Sequence, residues 1–517
     1  MATFALRSSA GSWIMVSAIL ASSMAFIDST ALNVVLPSLQ RSLQANGAEL
    51  FWILNAYLLM LAALILIGGA MGDRLGRKKV FMSGILIFIV GSAACGLSTS
   101  TVVLIICRII QGAGGAFMIP GSLSLISSSI DEKERGKAIG TWSSITTVVT
   151  VGGPILGGAL ADAGLWRYIF FINVPLGIAA LMILWRKVAE SREEGSGRSL
   201  DLPGAAAIAS GLALLTFGCL RIPAVGWAHW SVLVSLAGGV VLLIAFIGIE
   251  RRSRDPMMPL SLFANPVFSG VNALTFFLYA GLGATMLFLS LNMVQVQGYS
   301  QLQAGLTFLP FTALMISLAR YAGGLADRHG PRLLLIAGPA LAGAGMLLLS
   351  FVRETRGASD YWTSFFPGVL VFGLGMAMTV APLTATVMGS AGQQFSGVAS
   401  GVNNALSRIA NVFANAIFGA LAVLLFTAAL QQRVGGLPLA VEERQAVRQA
   451  VMAQAADLGN ARAPVMVKAA DRPGVAKAYR DAFISVYAVI LRISAGLAFV
   501  GALIYSVFSS FNSRKQI

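Results

Sequence analysis

Charge is scarce in this chain. Of 517 residues, 57% are hydrophobic and 11% are charged, against about a quarter charged in an ordinary soluble domain. The apolar residues come in long blocks, so the chain reads as a membrane protein that crosses the bilayer many times. Histidine is almost missing: His229 and His329 stand far apart. No group of ligating residues has metal-site spacing, so no metal is expected. Cys95, Cys107 and Cys219 all fall inside apolar runs, which argues against a disulfide framework. No GxxxxGK[ST] phosphate loop is present, so ATP is not the expected energy source and no cofactor is expected. Nucleophiles, bases and metal ligands do not converge within the apolar runs, so an enzyme is not expected. Acids are scarcest of all inside those runs, where Asp28 is the only carboxylate well within one.

Bases exceed acids, 36 to 21, for a net charge of +15. They sit in short links between apolar runs, as cytoplasmic loops do, which points to a membrane surface and excludes nucleic acid as a partner. A span needs roughly 20 apolar residues, and by that ruler the chain holds about fourteen spans. They group as six (residues 1–188), then a linker with two more (189–264), then six (265–517), with a long external link near 429–482. The first apolar run, Trp13 to Leu36, is too long for a signal-peptide core and reads as a retained span. Links after even-numbered spans carry the bases, among them Arg74, Arg77, Lys78 and Lys79, then Lys133, Arg135 and Lys137. The positive-inside rule then puts both termini in the cytoplasm. The polar stretch Glu190–Ser199 reads as a linker, and Val441–Ala456 as a short surface helix.

One stretch organises the chain. Gly69-Ala-Met-Gly-Asp73-Arg74-Leu-Gly76-Arg77-Lys78 joins two apolar runs, and Gly323-Gly324-Leu-Ala-Asp327-Arg328-His-Gly330 joins two more. Gly69 matches Gly323, Asp73 matches Asp327, and Gly76 matches Gly330. One charged hinge per half implies a duplicated bundle whose halves meet around a central site. An acid such as Asp73 suits a helix N-terminus, Arg74, Arg77 and Lys78 suit acids or anionic headgroups, and Gly69 and Gly76 permit close approach. In the fourth run, Arg108, Gln111, Gly112 and Gly115 share one helical face. An arginine there faces a cavity or a partner. Arg408 and Arg492 also lie deep in their runs.

These stretches resemble the major facilitator superfamily. The Gly69–Lys78 hinge is similar to its signature loop between spans two and three, a latch remade as access changes. Leu104–Gly115 resembles its fourth-span motif, and Gly153-Pro154-Ile-Leu-Gly157-Gly158 its fifth-span antiporter motif. Asp28-Ser-Thr30-Ala-Leu-Asn33, Trp166-Arg167-Tyr168…Asn173-Val-Pro175 and Gly298-Tyr299-Ser300…Leu309-Pro310 resemble the fourteen-span drug:proton antiporters. Two places depart from the pattern. Val149 stands where the antiporter motif opens with glycine, and Asn411 and Asn415 stand where span thirteen usually has glycines.

The resemblance implies an all-α bundle of two six-helix halves plus two inserted helices. It implies proton-coupled efflux of hydrophobic or amphiphilic molecules, with the proton gradient as energy source and Asp28 and Arg108 as the coupling pair. The alternative on the same scaffold is export of an endogenous lipid or secondary metabolite. Asn33, Tyr57, Gln111, Gln295, Arg408, Asn411 and Arg492 are the candidate cavity residues. A monomer in the cytoplasmic membrane is expected.

Overall fold

The computed structural model describes residues 4–190, 201–254, 256, 258–391, 396–437, 439–440, 442–443, 445, 447, 464 and 467–513. Within some helices a few side chains are also outside the described residues. The Glu190–Ser199 linker, past Glu190, and most of Val441–Ala456 fall outside them. The described residues are helical and contain no strand.

The helices are α1 (Ser9–Leu43), α2 (Gly47–Leu75), α3 (Arg77–Leu97), α4 (Thr101–Ser129), α5 (Glu132–Asp162), α6 (Tyr168–Phe171), α7 (Asn173–Lys187), α8 (Leu202–Val225) and α9 (Trp230–Arg252). They continue with α10 (Pro266–Leu291), α11 (Gln301–Leu306), α12 (Leu309–His329), α13 (Arg332–Leu349), α14 (Tyr361–Ser364), α15 (Phe366–Ser390), α16 (Ser396–Gly435) and α17 (Arg472–Ser513). Twelve helical stretches among the described residues are long and apolar enough to cross a membrane. Shorter apolar stretches, Glu49–Ile65 in α2 and Val148–Asp162 in α5, would complete the expected fourteen.

Local chemistry sets the helix starts. Asn46 and Glu49 form a capping box at α2, each side chain bonding the other's backbone amide at 2.9 Å. Ser100 caps α4, and Asn265 followed by Pro266 opens α10. The packing repeats. In the first half α3 lies on α4, α2 on α4 and α1 on α5; in the second α13 lies on α15, α12 on α15 and α10 on α16. Glycines bring some of these pairs to backbone contact: Gly114 of α4 lies against Phe88 of α3, and Gly345 of α13 against Phe372 of α15.

The two groups meet where α2 packs on α16 and α5 on α11. The inserted helices α8 and α9 pair with each other, and α8 touches both α2 and α16. Leu59 and Ala62 of α2, Ile208 and Leu212 of α8, and Val412 of α16 form one buried apolar cluster there. The inserted pair therefore covers one seam between the groups.

Candidate functional site

Asp28 sits mid-way along α1 with no exposed surface. Its carboxylate accepts from Arg108 Nη1 at 2.5 Å and from Gln111 Nε2 at 2.9 Å. Arg108 also donates to Gln111 Oε1 at 2.8 Å and to the Ile53 carbonyl at 3.3 Å. Its guanidinium lies 4.3 Å from the Tyr57 ring centre and 5.9 Å from that of Phe170, a cation–π arrangement. Gly112 lets this form: a Cβ there would meet the Tyr57 carbonyl at 2.5 Å, so α4 can lie directly on α2. Arg108 and Gln111, three apart on α4, thus close on one carboxylate from one face. Removing one partner of a buried pair costs roughly 3–5 kcal/mol, because the other charge is left unpaired. Ser29 and Thr30 do not complete the cluster. Their hydroxyls donate one turn back, to the carbonyls of Ala25 and Phe26.

The other cavity candidates spread more widely. Tyr57 and Gln111 belong to the cluster. Asn33 is half-buried on α1. Asn411 donates to the Ser407 carbonyl at 2.9 Å and sets its amide oxygen against Gly283 of α10. Arg408 is half-buried on α16. Gln295 lies away from them, in the π-helical turn Asn292–Val296, and bonds Gln40 at 3.4 Å. Arg492 corrects the sequence reading. It is exposed on α17 and stacks 5.4 Å from the ring centre of Phe351, itself 62% exposed just past the end of α13. Long side chains on an outer helix face can carry their charge along the surface in this way.

The antiporter stretch forms the seam at the end of the bundle where α1 and α5 finish and α11 begins, the far end. Gly153 and Gly157 pack on Thr30 and Ala31 of α1. Gly158 lies against the Gln301 backbone, and Gly305 against the Pro154 carbonyl. A side chain at either glycine would force the two groups apart. Beside them, Asp162 accepts from the amides of Gln301 at 2.8 Å and Leu302 at 2.9 Å. Ser300 and Gln303 form the capping box of α11, which leaves those two amides for Asp162. The start of a helix in one group is thus completed by an acid from the other. Ser38 adds a bond to Gln301 Oε1 at 2.9 Å. Sequence reading does not single out Asp162, because the acid lies 139 residues from the helix start that it completes.

The first hinge joins α2 to α3 through Gly76. Asp73 and Arg74 lie in α2 and Asp327 in α12, with their side chains outside the described residues. The acid at the start of α3 is Glu190, which accepts from Lys78 N at 2.9 Å and Lys79 N at 3.2 Å. Lys78 Nζ donates to the Val188 carbonyl at 2.7 Å, and Arg77 is half-buried. Gly76, at φ +111°, turns the chain beneath Glu190, where a Cβ would meet the carboxylate at 2.8 Å. Gly69 makes no close approach: space for a Cβ is open there.

Among solved structures, the chain resembles a bacterial homologue of the human lysosomal transporter Spinster in an inward-facing, unoccupied conformation. The TM-score is 0.63 at 17% identity, over 97% of this chain and 98% of that one. It also resembles a D-xylose-proton symporter, with a TM-score of 0.54 at 17% identity, over 79% and 89%. By sequence it is 32% identical to a tetracenomycin C resistance and export protein of Streptomyces glaucescens, over 77% of this chain and 73% of that protein. It is also 32% identical to the multidrug resistance protein Stp of Mycobacterium tuberculosis, over 79% and 75%. The model of the Major Facilitator Superfamily matches residues 18–415, and the chain belongs to that family.

Proposed function

We propose that this protein exports hydrophobic or amphiphilic small molecules by alternating access, in exchange for protons. Its relatives are resistance and export proteins. The observation that carries the coupling is the closed cluster of Asp28, Arg108 and Gln111, a titratable acid held inside the bundle by a charge that its protonation would release. In the state seen, the pair is complete and shut off from water. Protonation of Asp28 would leave Arg108 to Gln111 Oε1, the Ile53 carbonyl and the Tyr57 ring, and so would favour a different packing of α1 on α4. With both termini cytoplasmic, as the loop bases imply, the far end faces outward. The Asp162–Gln301 seam is then a closed outer gate. The protein would act as a monomer in the cytoplasmic membrane.

A second reading, export of an endogenous metabolite, is supported by a relative whose name pairs resistance with export of one antibiotic. A growth-inhibition panel of chemically varied toxic lipophiles, with and without the protein, tests the first reading. Raised tolerance to several unrelated compounds is expected. Unchanged tolerance to all of them, with an altered lipid or metabolite profile in the same cells, would replace it with the second.

A further inference from the structure

Arg108 of α4 and Arg408 of α16, both within apolar helices, differ in one respect. Arg108 is neutralised by Asp28 and makes three hydrogen bonds. Arg408 is half-buried on α16, and among the described residues no carboxylate lies within ion-pair distance and no acceptor takes a hydrogen bond from it. Its helix packs on α2 of one group and α10 of the other, and Ala405 and Val412, on either side of it, are buried in clusters with Tyr57 and Leu59 of α2, which places this part of α16 between the two groups of helices. It also belongs to a stripe. Asn404, Arg408, Asn411 and Asn415 follow at spacings of four, three and four, one face of a helix. The Asn411 amide oxygen faces Gly283, and the Asn415 amide oxygen is buried without a hydrogen-bond partner. A guanidinium carries five donors and does not lose its proton. Half out of water within a span, it is costly unless something supplies acceptors and a countercharge.

We infer that Arg408 and the asparagine stripe bind a monoanionic group, so that the transported molecules include amphiphiles with an apolar body and one carboxylate, phenolate or enolate. The inference rests on the export reading and names its substrate class. Charge supports it: the Asp28–Arg108 pair sums to zero, which leaves Arg408 as the net charge of the site. Asn404, Asn411 and Asn415 supply neutral polar contacts that recognise the rest of a polar head without adding charge. An inside-negative membrane potential also drives an anion outward. Coupling of such an anion to protons would run through the change of state.

The test uses three probes with one apolar body: 1-pyrenebutyric acid, 1-pyrenebutanol and a pyrenebutyl trimethylammonium salt. Their dissociation constants are measured by fluorescence on the purified full-length protein in phospholipid-free detergent at pH 8. Wild type should bind the acid roughly tenfold more tightly than the alcohol, as a charge-assisted contact implies, and the ammonium most weakly. Arg408→Gln should bring the acid-to-alcohol ratio close to one. Arg408→Lys, which keeps the charge, should retain most of the ratio, and gel filtration reports whether each variant is folded. Added phosphatidylglycerol that displaces the acid would identify a lipid headgroup as an occupant of the same anion site. A wild-type ratio near one, or an unchanged ratio in Arg408→Gln, overturns the inference and leaves export standing. Failure of wild type to bind any of the three would overturn both.

Discussion

Consider replacement of Asp162 by asparagine. Its carboxylate takes two amides at the start of α11, at 2.8 and 2.9 Å, and those bonds join the two groups of helices at the far end. A hydrogen bond to a charged group is worth about 1.5–3 kcal/mol when protected, and an acid at a helix N-terminus adds about 0.3–1 kcal/mol. Asp162 is exposed, so water competes, and the sum falls to about 1–2 kcal/mol, a factor of roughly 5–30 in an equilibrium. Asparagine keeps one acceptor and loses the charge; alanine loses both. The population with the far end open should therefore rise in the order wild type, Asp162→Asn, Asp162→Ala. Spin labels at Leu165 and Leu306, both exposed on either side of the seam, would read it as a growing long-distance population in nanodiscs. Cys219, the least buried cysteine, would first be changed to serine. An unchanged distance distribution in folded Asp162→Ala would refute the reasoning, since the close contacts of Gly158 and Gly305 would then hold the seam alone.

Two further outcomes are expected. Asp73→Asn should insert normally and lose most transport in vesicle assays, whereas Asp327→Asn should be milder, because its loop is less basic and carries Pro331 where the first has Arg77; wild-type transport by well-expressed Asp73→Asn would remove Asp73 from the latch. Glu443 is held below the usual carboxylate range by hydrogen bonds from the backbone amides of Lys468 and Ala440. A lowered folded value stabilises above the ordinary carboxylate range and is lost as pH falls through it, so the protection factor of the Lys468 amide, corrected for its intrinsic exchange rate, should fall in acid, and Glu443→Gln should remove that fall.

Much of the site was legible where residues near in sequence act together. Arg108 and Gln111 lie three apart, so their shared face was plain, and Asp28 stood out as the lone acid within a run. The duplicated hinge, the Gly153–Gly158 stretch and the all-helical class were legible for the same reason. What escaped was pairing across distance. Glu190 caps α3 from 112 residues away, and Asp162 caps α11 from 139; the first reads as part of a polar linker and the second is not singled out by the sequence. Arg492 was misread because its run is apolar on all sides, so depth along the helix did not reveal which face it used.

The central claim is that Asp28 carries the proton. The direct measurement is uphill efflux in proteoliposomes, driven by a pH gradient, of the compound to which the protein gives most tolerance. Wild type should concentrate it against its gradient. Asp28→Asn, which keeps shape but cannot titrate, should exchange the compound downhill and lose at least about tenfold of the uphill rate. Asp28→Glu, which still titrates, should retain a measurable uphill component. Uphill efflux at the wild-type rate by folded Asp28→Asn would contradict the account and show that the proton travels elsewhere.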